Sequence, residues 1–284
     1  PQASSPAGGF PAVVLVHGSG PNDRDETIGP SKPFKDLAWG LASAGIAVLR
    51  YDKRTLAHAD EFGPSAGPFT VKEETIADAL AGAALLRGTD GIDPAKVFVL
   101  GHSLGGMLVP RIAESDPDIA GFIVLAGTAR PLEDVMLEQT LYLASLAGQL
   151  SQEQQEKLAD IRTQVEKVKA LGPTDGDSTE PILGAPPAYW LDLRGYDPPA
   201  AAVKITRPLL VLQGGRDYQV TMADFGRWQE VLADRPNVRL MSYPDLNHLF
   251  VSGEGKSMPA EYARPGHVAR EVVDDIAVWI KGPR

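Results

Sequence analysis

The sequence predicts a doubly wound, mostly parallel α/β sheet, on three observations. The first is a set of short, continuously apolar runs: residues 12–16 (AVVLV), 46–51 (IAVLRY), 97–101 (VFVLG), 121–126 (GFIVLA), 209–213 (LLVLQ) and 238–242 (VRLMS). Strands that are buried on both faces, as in a parallel sheet, read this way, whereas half-exposed strands alternate. The second is what separates them. Residues 34–44, 70–87, 103–115, 222–233 and 268–280 carry helical periodicity; Thr70 and Glu73 form a capping box for one of these helices, and Val268, Val272, Ile276 and Trp279 or Ile280 form the apolar stripe of the last. Strand–helix alternation of this kind builds right-handed βαβ units. The third is size: 284 residues, 43% hydrophobic, suit one large domain with an insertion better than two unrelated domains.

One stretch breaks the rhythm. Residues 128–203 contain no convincing strand. Residues 131–146 read as a helix with Leu132, Val135, Met136, Leu143 and Leu146 on one face. Residues 151–171 read as a second, capped by Ser151 with Gln154 and ended by Gly172-Pro173. A Gly/Pro-rich loop and a short segment with Tyr189 and Trp190 follow. The expected organisation is therefore a core of residues 1–127 and 204–284 with a helical cap, residues 128–203, inserted between two of its strands.

Composition narrows the chemistry. A formal net charge of −10 disfavours nucleic acid as a partner, because phosphates ask for a basic surface. No apolar run approaches the roughly 18 residues of a membrane span. Residues 1–10 lack the basic start and apolar core of a signal peptide. The chain has no cysteine, which excludes disulfides, thiolate metal sites and a cysteine nucleophile and is compatible with export and cytoplasm alike. There is no phosphate loop, no dinucleotide fingerprint and no histidine pair at metal spacing, so neither cofactor nor metal is expected.

The residues that carry chemistry begin with Gly101-His102-Ser103-Leu104-Gly105, a G-x-S-x-G sequence directly after one predicted strand and directly before a helix. In that context it reads as a nucleophile elbow: a strained turn lifts the Ser103 hydroxyl above the strand end, at the positive N-terminus of the next helix. A serine hydroxyl needs a base to take its proton. The loops after the last two strands supply candidates, Asp217 in Gly214-Gly215-Arg216-Asp217 and His248 in Tyr243-Pro244-Asp245-Leu246-Asn247-His248. Open α/β sheets assemble their sites at the carboxyl ends of the strands, so Ser103, Asp217 and His248 are expected to converge. Asp245, Glu133 and Asp134 are rival acids, whereas His58, His102 and His267 are poorer bases by position. An oxyanion formed during acyl transfer needs two backbone N–H donors. Leu104, just after the serine, is one; Ser19, in the His17-Gly18-Ser19-Gly20 loop, is the other, with Gly20 as the alternative, and His17 is read as a brace for that loop. The charged runs Asp23-Arg24-Asp25-Glu26 and Asp52-Lys53-Arg54 are read as holding loops together by ion pairs and hydrogen bonds, with lining of the substrate cleft as the alternative.

At these residues the chain resembles the α/β-hydrolase superfamily, in particular bacterial carboxylesterases and acyl hydrolases that share its HGSGPNDRDETIGP loop and RYDKR strand end. The resemblance runs from Phe10 to the end of the sequence. It implies a Ser-Asp-His triad without cofactor, acting on short acyl esters, with Ser103, Asp217 and His248 as triad and Ser19 and Leu104 as oxyanion donors. One departure is that such enzymes usually carry an antiparallel strand pair ahead of the AVVLV-like strand, which here follows only about ten residues.

The expected function is a serine carboxylesterase acting through an acyl-enzyme on a small-molecule ester, as a monomer or small homo-oligomer. Leu132, Met136, Leu141, Tyr142, Tyr189 and Trp190 of the cap are candidates for an apolar acyl pocket. A serine peptidase or amidase on the same fold is the alternative the triad does not separate. A binding protein on an inactive hydrolase scaffold is the second, and the complete set Ser103, Asp217 and His248 argues against it.

Overall fold

A computed structural model describes residues 8–62 and 67–282. In chain order the elements are β1 (Phe10–Val16), α1 (Pro33–Ser43), β2 (Ala47–Leu49), α2 (Arg54–Ala57), α3 (Ala59–Phe62), a π turn (Lys72–Ile76) that runs into α4 (Ala77–Arg87), and β3 (Ile92–His102). Then come α5 (Leu104–Ser115), β4 (Gly121–Leu125), α6 (Leu132–Leu146), α7 (Gln152–Ala170), α8 (Pro187–Leu193), α9 (Pro198–Ala202), β5 (Leu209–Gly214), α10 (Met222–Leu232), β6 (Val238–Tyr243) and α11 (Arg270–Lys281).

The six strands form one sheet in the order β2-β1-β3-β4-β5-β6, and every neighbouring pair is parallel. The apolar runs explain why. In β1, Ala12, Val14 and Val16 pack into the core on one face while Val13 and Leu15 pack into the core on the other. The first face is covered by α4, α5 and α10, through residues such as Ala83, Met107, Ile112 and Trp228. The second is covered by α1 and α11, through Phe34, Leu37, Val272 and Ile276. A strand with helices on both sides has no use for alternation.

The six expected strands and the seven longer helices are all present, with shifted ends. The 46–51 run contracts to three paired residues, Ala47–Leu49, at the edge of the sheet. The helix expected over 70–87 opens instead as the π turn, in which Glu74, Thr75 and Ile76 are all buried. Thr70 and Glu73 still cap it: the Thr70 N–H donates to Glu73 Oε2 at 2.9 Å.

From β4 the chain runs through α6, α7, α8 and α9 before returning as β5, the strand that pairs with β4 in the sheet. The Ser151–Gln154 capping box is formed as expected. Among the described residues, no helix is long and apolar enough to cross a membrane.

The strand order reverses at β1. The chain leaves β1 for β2 on one side and comes back as β3 on the other. The loops after β1 and β3 therefore diverge above the same crevice, the usual ligand position in a doubly wound sheet. Register aligns Val16 with Gly101, so residues 17–20 and Ser103 emerge side by side.

Candidate active site

Ser103 sits between β3 and α5 with φ 53° and ψ −117°, a left-handed conformation that a side-chain-bearing residue adopts at a cost of roughly 1–3 kcal/mol. Its N–H donates to the Leu125 carbonyl of β4 at 2.9 Å, which fixes the turn to the sheet. The flanking glycines are required by contact. A Cβ at Gly101 would run into the Gly105 carbonyl, and one at Gly105 would strike Val16 O and stand 2.7 Å from His17 O. The elbow is thus pressed against the end of β1. Leu104 is the first residue of α5, and its N–H is one of those with no partner inside the helix.

Asp217 and His248 meet. The Nδ1–H of His248 donates to Asp217 Oδ2 at 2.6 Å, with both side chains buried. The carboxylate is held from three further directions. Gln213 Nε2 donates to Oδ2 at 3.2 Å, and the N–H groups of Gln219 and Val220 donate to Oδ1 at 2.8 and 3.0 Å. All lone pairs that face protein have donors, so the carboxylate cannot turn away from the imidazole. With Nδ1 so engaged, Nε2 of His248 is the nitrogen left for chemistry.

The Ser103 hydroxyl makes no hydrogen bond to His248 among the described residues. What joins the two loops is His102. Its ring lies 4.6 Å, centroid to centroid, from that of His248, and its Nε2 donates to the His248 carbonyl at 3.0 Å.

His102 has a second partner that the sequence did not reveal. Its Nδ1 stands 2.9 Å from Glu26 Oε2, both groups being almost completely inaccessible to solvent. The other oxygen of Glu26 accepts the Gly18 N–H at 2.7 Å. A carbonyl cannot donate, so Nε2 of His102 carries a proton; a second proton on Nδ1 would give the ring a positive charge facing the Glu26 carboxylate. Burial opposes that charge, but the Glu26 carboxylate and the His248 carbonyl outweigh it and raise the pKa of His102 above its ordinary value. Burial likewise pushes the Glu26 carboxyl up, while His102, His17 and the Gly18 N–H bring it below the ordinary range. This pairing accounts for one member of the charged run 23–26. Arg24 pairs with Asp52 at 2.6 Å and Lys32 with Asp25 at 3.0 Å, while Asp23 accepts hydrogen bonds from the Asp25 and Thr27 N–H groups at 3.1 and 2.9 Å. His17 braces its loop as expected, with Nε2 3.0 Å from the Asp23 carbonyl; burial, aided by Lys53, lowers its pKa.

One rival acid is paired elsewhere. Asp134 pairs with Lys169 at 2.7 Å, and the backbone carbonyl of Asp245 accepts the Gly253 N–H at 3.0 Å.

A cavity of about 590 Å³ opens over Ser103. Ser19, Ser103 and Leu104 form its floor, Leu132, Val135 and Met136 of α6 and Tyr189 and Trp190 of α8 its far wall, and Phe62, Phe69 and Glu74 the third side. Of the pocket residues expected from helical spacing, Leu132, Met136, Tyr189 and Trp190 line it, and Leu141 and Tyr142 do not. Leu141 points outward, 38% exposed. Tyr142 stacks on Tyr218 at 5.0 Å and donates its hydroxyl to the Ser257 carbonyl at 2.7 Å. Together with the Gln139 side chain, which donates to the Gln219 carbonyl at 2.9 Å, it ties α6 to the loop that carries Asp217. Among the described residues no cluster of three or more His, Asp or Glu is arranged to hold a metal ion.

A strained serine at a helix N-terminus, an aspartate-bound histidine and an open parallel sheet define a hydrolase of the α/β class, and a family model of the alpha/beta hydrolase family matches residues 13–264. The chain belongs to that family. It is 49% identical over 282 residues to Esterase EstD of Thermotoga maritima, a match that covers 99% of this chain and 63% of that protein. The chain thus spans less than two thirds of that relative. Among solved structures it superposes on Est1E from Butyrivibrio proteoclasticus with a TM-score of 0.58 at 15% identity, covering 96% of this chain and 89% of the other. The Pyrococcus furiosus esterase Pf2001 gives a TM-score of 0.53 at 18% identity, over 85% of this chain and 75% of the other. At such identities these structures share the fold.

Proposed function

We propose that this chain is a serine carboxylesterase that hydrolyses short-chain acyl esters through an acyl-enzyme on Ser103. The observation that carries the reading is the Asp217–His248 pair, 2.6 Å apart and buried, joined through His102 to a serine held in the elbow conformation. The kinship with Esterase EstD supports the ester as substrate.

In this reading His248 Nε2 takes the proton of Ser103 as its oxygen attacks the ester carbonyl. Asp217 keeps the imidazole in the tautomer with the proton on Nδ1 and stabilises the imidazolium that forms. The N–H groups of Ser19 and Leu104 hold the developing oxyanion, in the field of the α5 N-terminus. Gly18 is not available for that task, since its N–H is committed to Glu26 at 2.7 Å. The alkoxide leaves with the proton from His248. Water then attacks the acyl-enzyme with His248 again as base, and the acid is released. Residues 128–203 act as a cap whose apolar side chains confine the acyl group, and 590 Å³ is room for a small substrate. The core is residues 1–127 with 204–284.

The test is hydrolysis of p-nitrophenyl esters from acetate upward, with Ser103→Ala as control. Turnover that is fastest on short chains and lost in the variant is the expected result. A folded protein inactive on every chain length overturns the proposal.

A further inference from the structure

The cavity above Ser103 is lined by aromatic and aliphatic side chains and by neutral polar ones such as Thr55, Thr128 and Gln139, with one carboxylate, that of Glu74, among them. Glu74 lines it while being only 5% exposed overall, and its Oε1 lies 2.7 Å from the Nζ of Lys53, itself 1% exposed. Removing two charges from water is expensive, and replacing a buried ion pair by apolar residues is often neutral or stabilising. A pair kept at the wall of a binding cavity therefore calls for a reason beyond stability. The backbone makes a local concession to it as well, since Glu74 sits on the π turn, Lys72–Ile76, and such turns frequently occur at functional sites.

The pair is charge-balanced, and only its acidic half lines the cavity. Lys53 is occupied behind it, donating to the Gly18 carbonyl at 2.9 Å as well as to Glu74. A carboxylate accepts about four hydrogen bonds. Lys53 supplies one, the Thr75 hydroxyl a second at 3.1 Å, and the Tyr189 hydroxyl bears on the same group, its own acidity suppressed by burial and then by the charge and hydrogen bond of Glu74. Acceptor capacity remains on a group that faces the substrate space. A neutral donor satisfies it. A second cation is disfavoured, because Lys53 already neutralises the charge.

We propose that Glu74, backed by Lys53 and Tyr189, forms a subsite that recognises a hydroxyl group on the part of the ester that enters this cavity, so that the preferred substrates are hydroxylated esters. The inference rests on the esterase reading above and adds the substrate class. It separates from a purely structural role for the pair. If Lys53 and Glu74 only propped the Gly18 carbonyl, their loss would slow all esters alike.

The experiment compares kcat/KM for matched p-nitrophenyl esters of 3-phenylpropanoic acid and its 2-, 3- and 4-hydroxyphenyl counterparts, and for phenyl and hydroxyphenyl acetates, which place the hydroxyl on the alcohol side. A hydrogen bond to a charged acceptor predicts a preference of roughly ten- to a hundredfold for at least one hydroxylated member. Glu74→Gln is expected to reduce that ratio by about tenfold. Should Lys53, left without its partner, prevent that variant from folding, the double variant Lys53→Met/Glu74→Leu removes both charges together, and its ratio is expected to fall to near one. Turnover of plain and hydroxylated esters at equal rates by the wild type overturns the subsite and leaves the esterase reading standing. If nothing is hydrolysed, the esterase reading fails, and the subsite is then judged by calorimetric binding of the free hydroxyphenyl and phenyl propanoic acids. Equal affinity there overturns the subsite too.

Discussion

His102 donates from Nε2 to the carbonyl of His248 and meets Glu26 through Nδ1, so one buried imidazole spans the loops that follow β1 and β6. The chain of contacts runs from the Gly18 N–H through Glu26 and His102 to the His248 backbone. Sites of this kind work only when held to within a fraction of an ångström, and this network is what holds the β1 loop against the β6 loop.

The first prediction concerns its pH dependence. His102 is raised above its reference value of 6.5, so its contribution to stability is complete below that pH and is lost as pH rises through the raised value. Glu26 is depressed below 4.5, so its contribution is complete above that pH and is lost as pH falls through the depressed value. Both act fully between about 4.5 and 6.5. Glu26→Gln should therefore cost most in that window, roughly 3–5 kcal/mol as for other broken buried pairs. Melting temperatures of wild type and variant measured from pH 4.5 to 9 should converge as pH rises. A constant difference across the range would show that His102 carries no charge.

Asp217→Asn keeps the shape of the side chain but replaces an acceptor with an amide that can face His248 with its N–H. The imidazole then takes the wrong tautomer, and kcat on p-nitrophenyl butyrate should fall by about 10⁴ with little change in KM. A fall below tenfold would mean that another carboxylate orients His248.

Gly105→Ala tests the elbow. The added methyl would strike the Val16 carbonyl, and backbone at the end of β1 cannot yield as a flexible side chain would. The expected cost is roughly 3 kcal/mol or more in urea unfolding, from overpacking that cannot relax. A melting point within 2 °C of wild type, about what 1 kcal/mol produces in a chain of this size, would contradict the geometry.

Asp224 anchors the start of the helical insertion. It is fully buried and accepts from the Thr128 hydroxyl, the Ala129 N–H and the Arg130 guanidinium at 2.7 to 3.2 Å. Asp224→Ala strands all these donors and should destabilise the protein by roughly 3–5 kcal/mol. Limited proteolysis of the variant should cut first within residues 128–203, and a wild-type cleavage pattern at equal rate would exclude the anchoring role.

Much of this molecule could be read from its sequence, and the reasons are specific. A run such as Val97-Phe98-Val99-Leu100 can be buried on both sides only in a parallel sheet with helices above and below, and the helices between the runs announced themselves by period. The elbow was legible because its glycines answer to backbone contacts that admit no substitute. What escaped notice depends on distant partners. The short helices α2, α3, α8 and α9 are too brief to show a period and are held by what they pack on. Helical spacing put Tyr142 on the pocket side of α6, but Tyr218 offers it a stacking partner outside the pocket. Glu26, His102, Lys53 and Glu74 are ordinary polar residues in sequence, and only the fold that brings β1, β3 and the π turn together gives them one another.

β4 and β5 are laddered side by side, although four helices of the chain intervene between them. The two strands pair along their length, Phe122 with Leu209 and Leu125 with Leu212, so the ladder is continuous across the detour. Ser103, Asp217 and His248 follow strands of the sheet, while Leu132, Met136, Tyr189 and Trp190 of the cavity lining belong to the detour. Evolution, or an engineer, can thus lengthen, shorten or exchange that loop of helices as one changes a lens on a camera body, altering what is admitted while the shutter behind it stays in register.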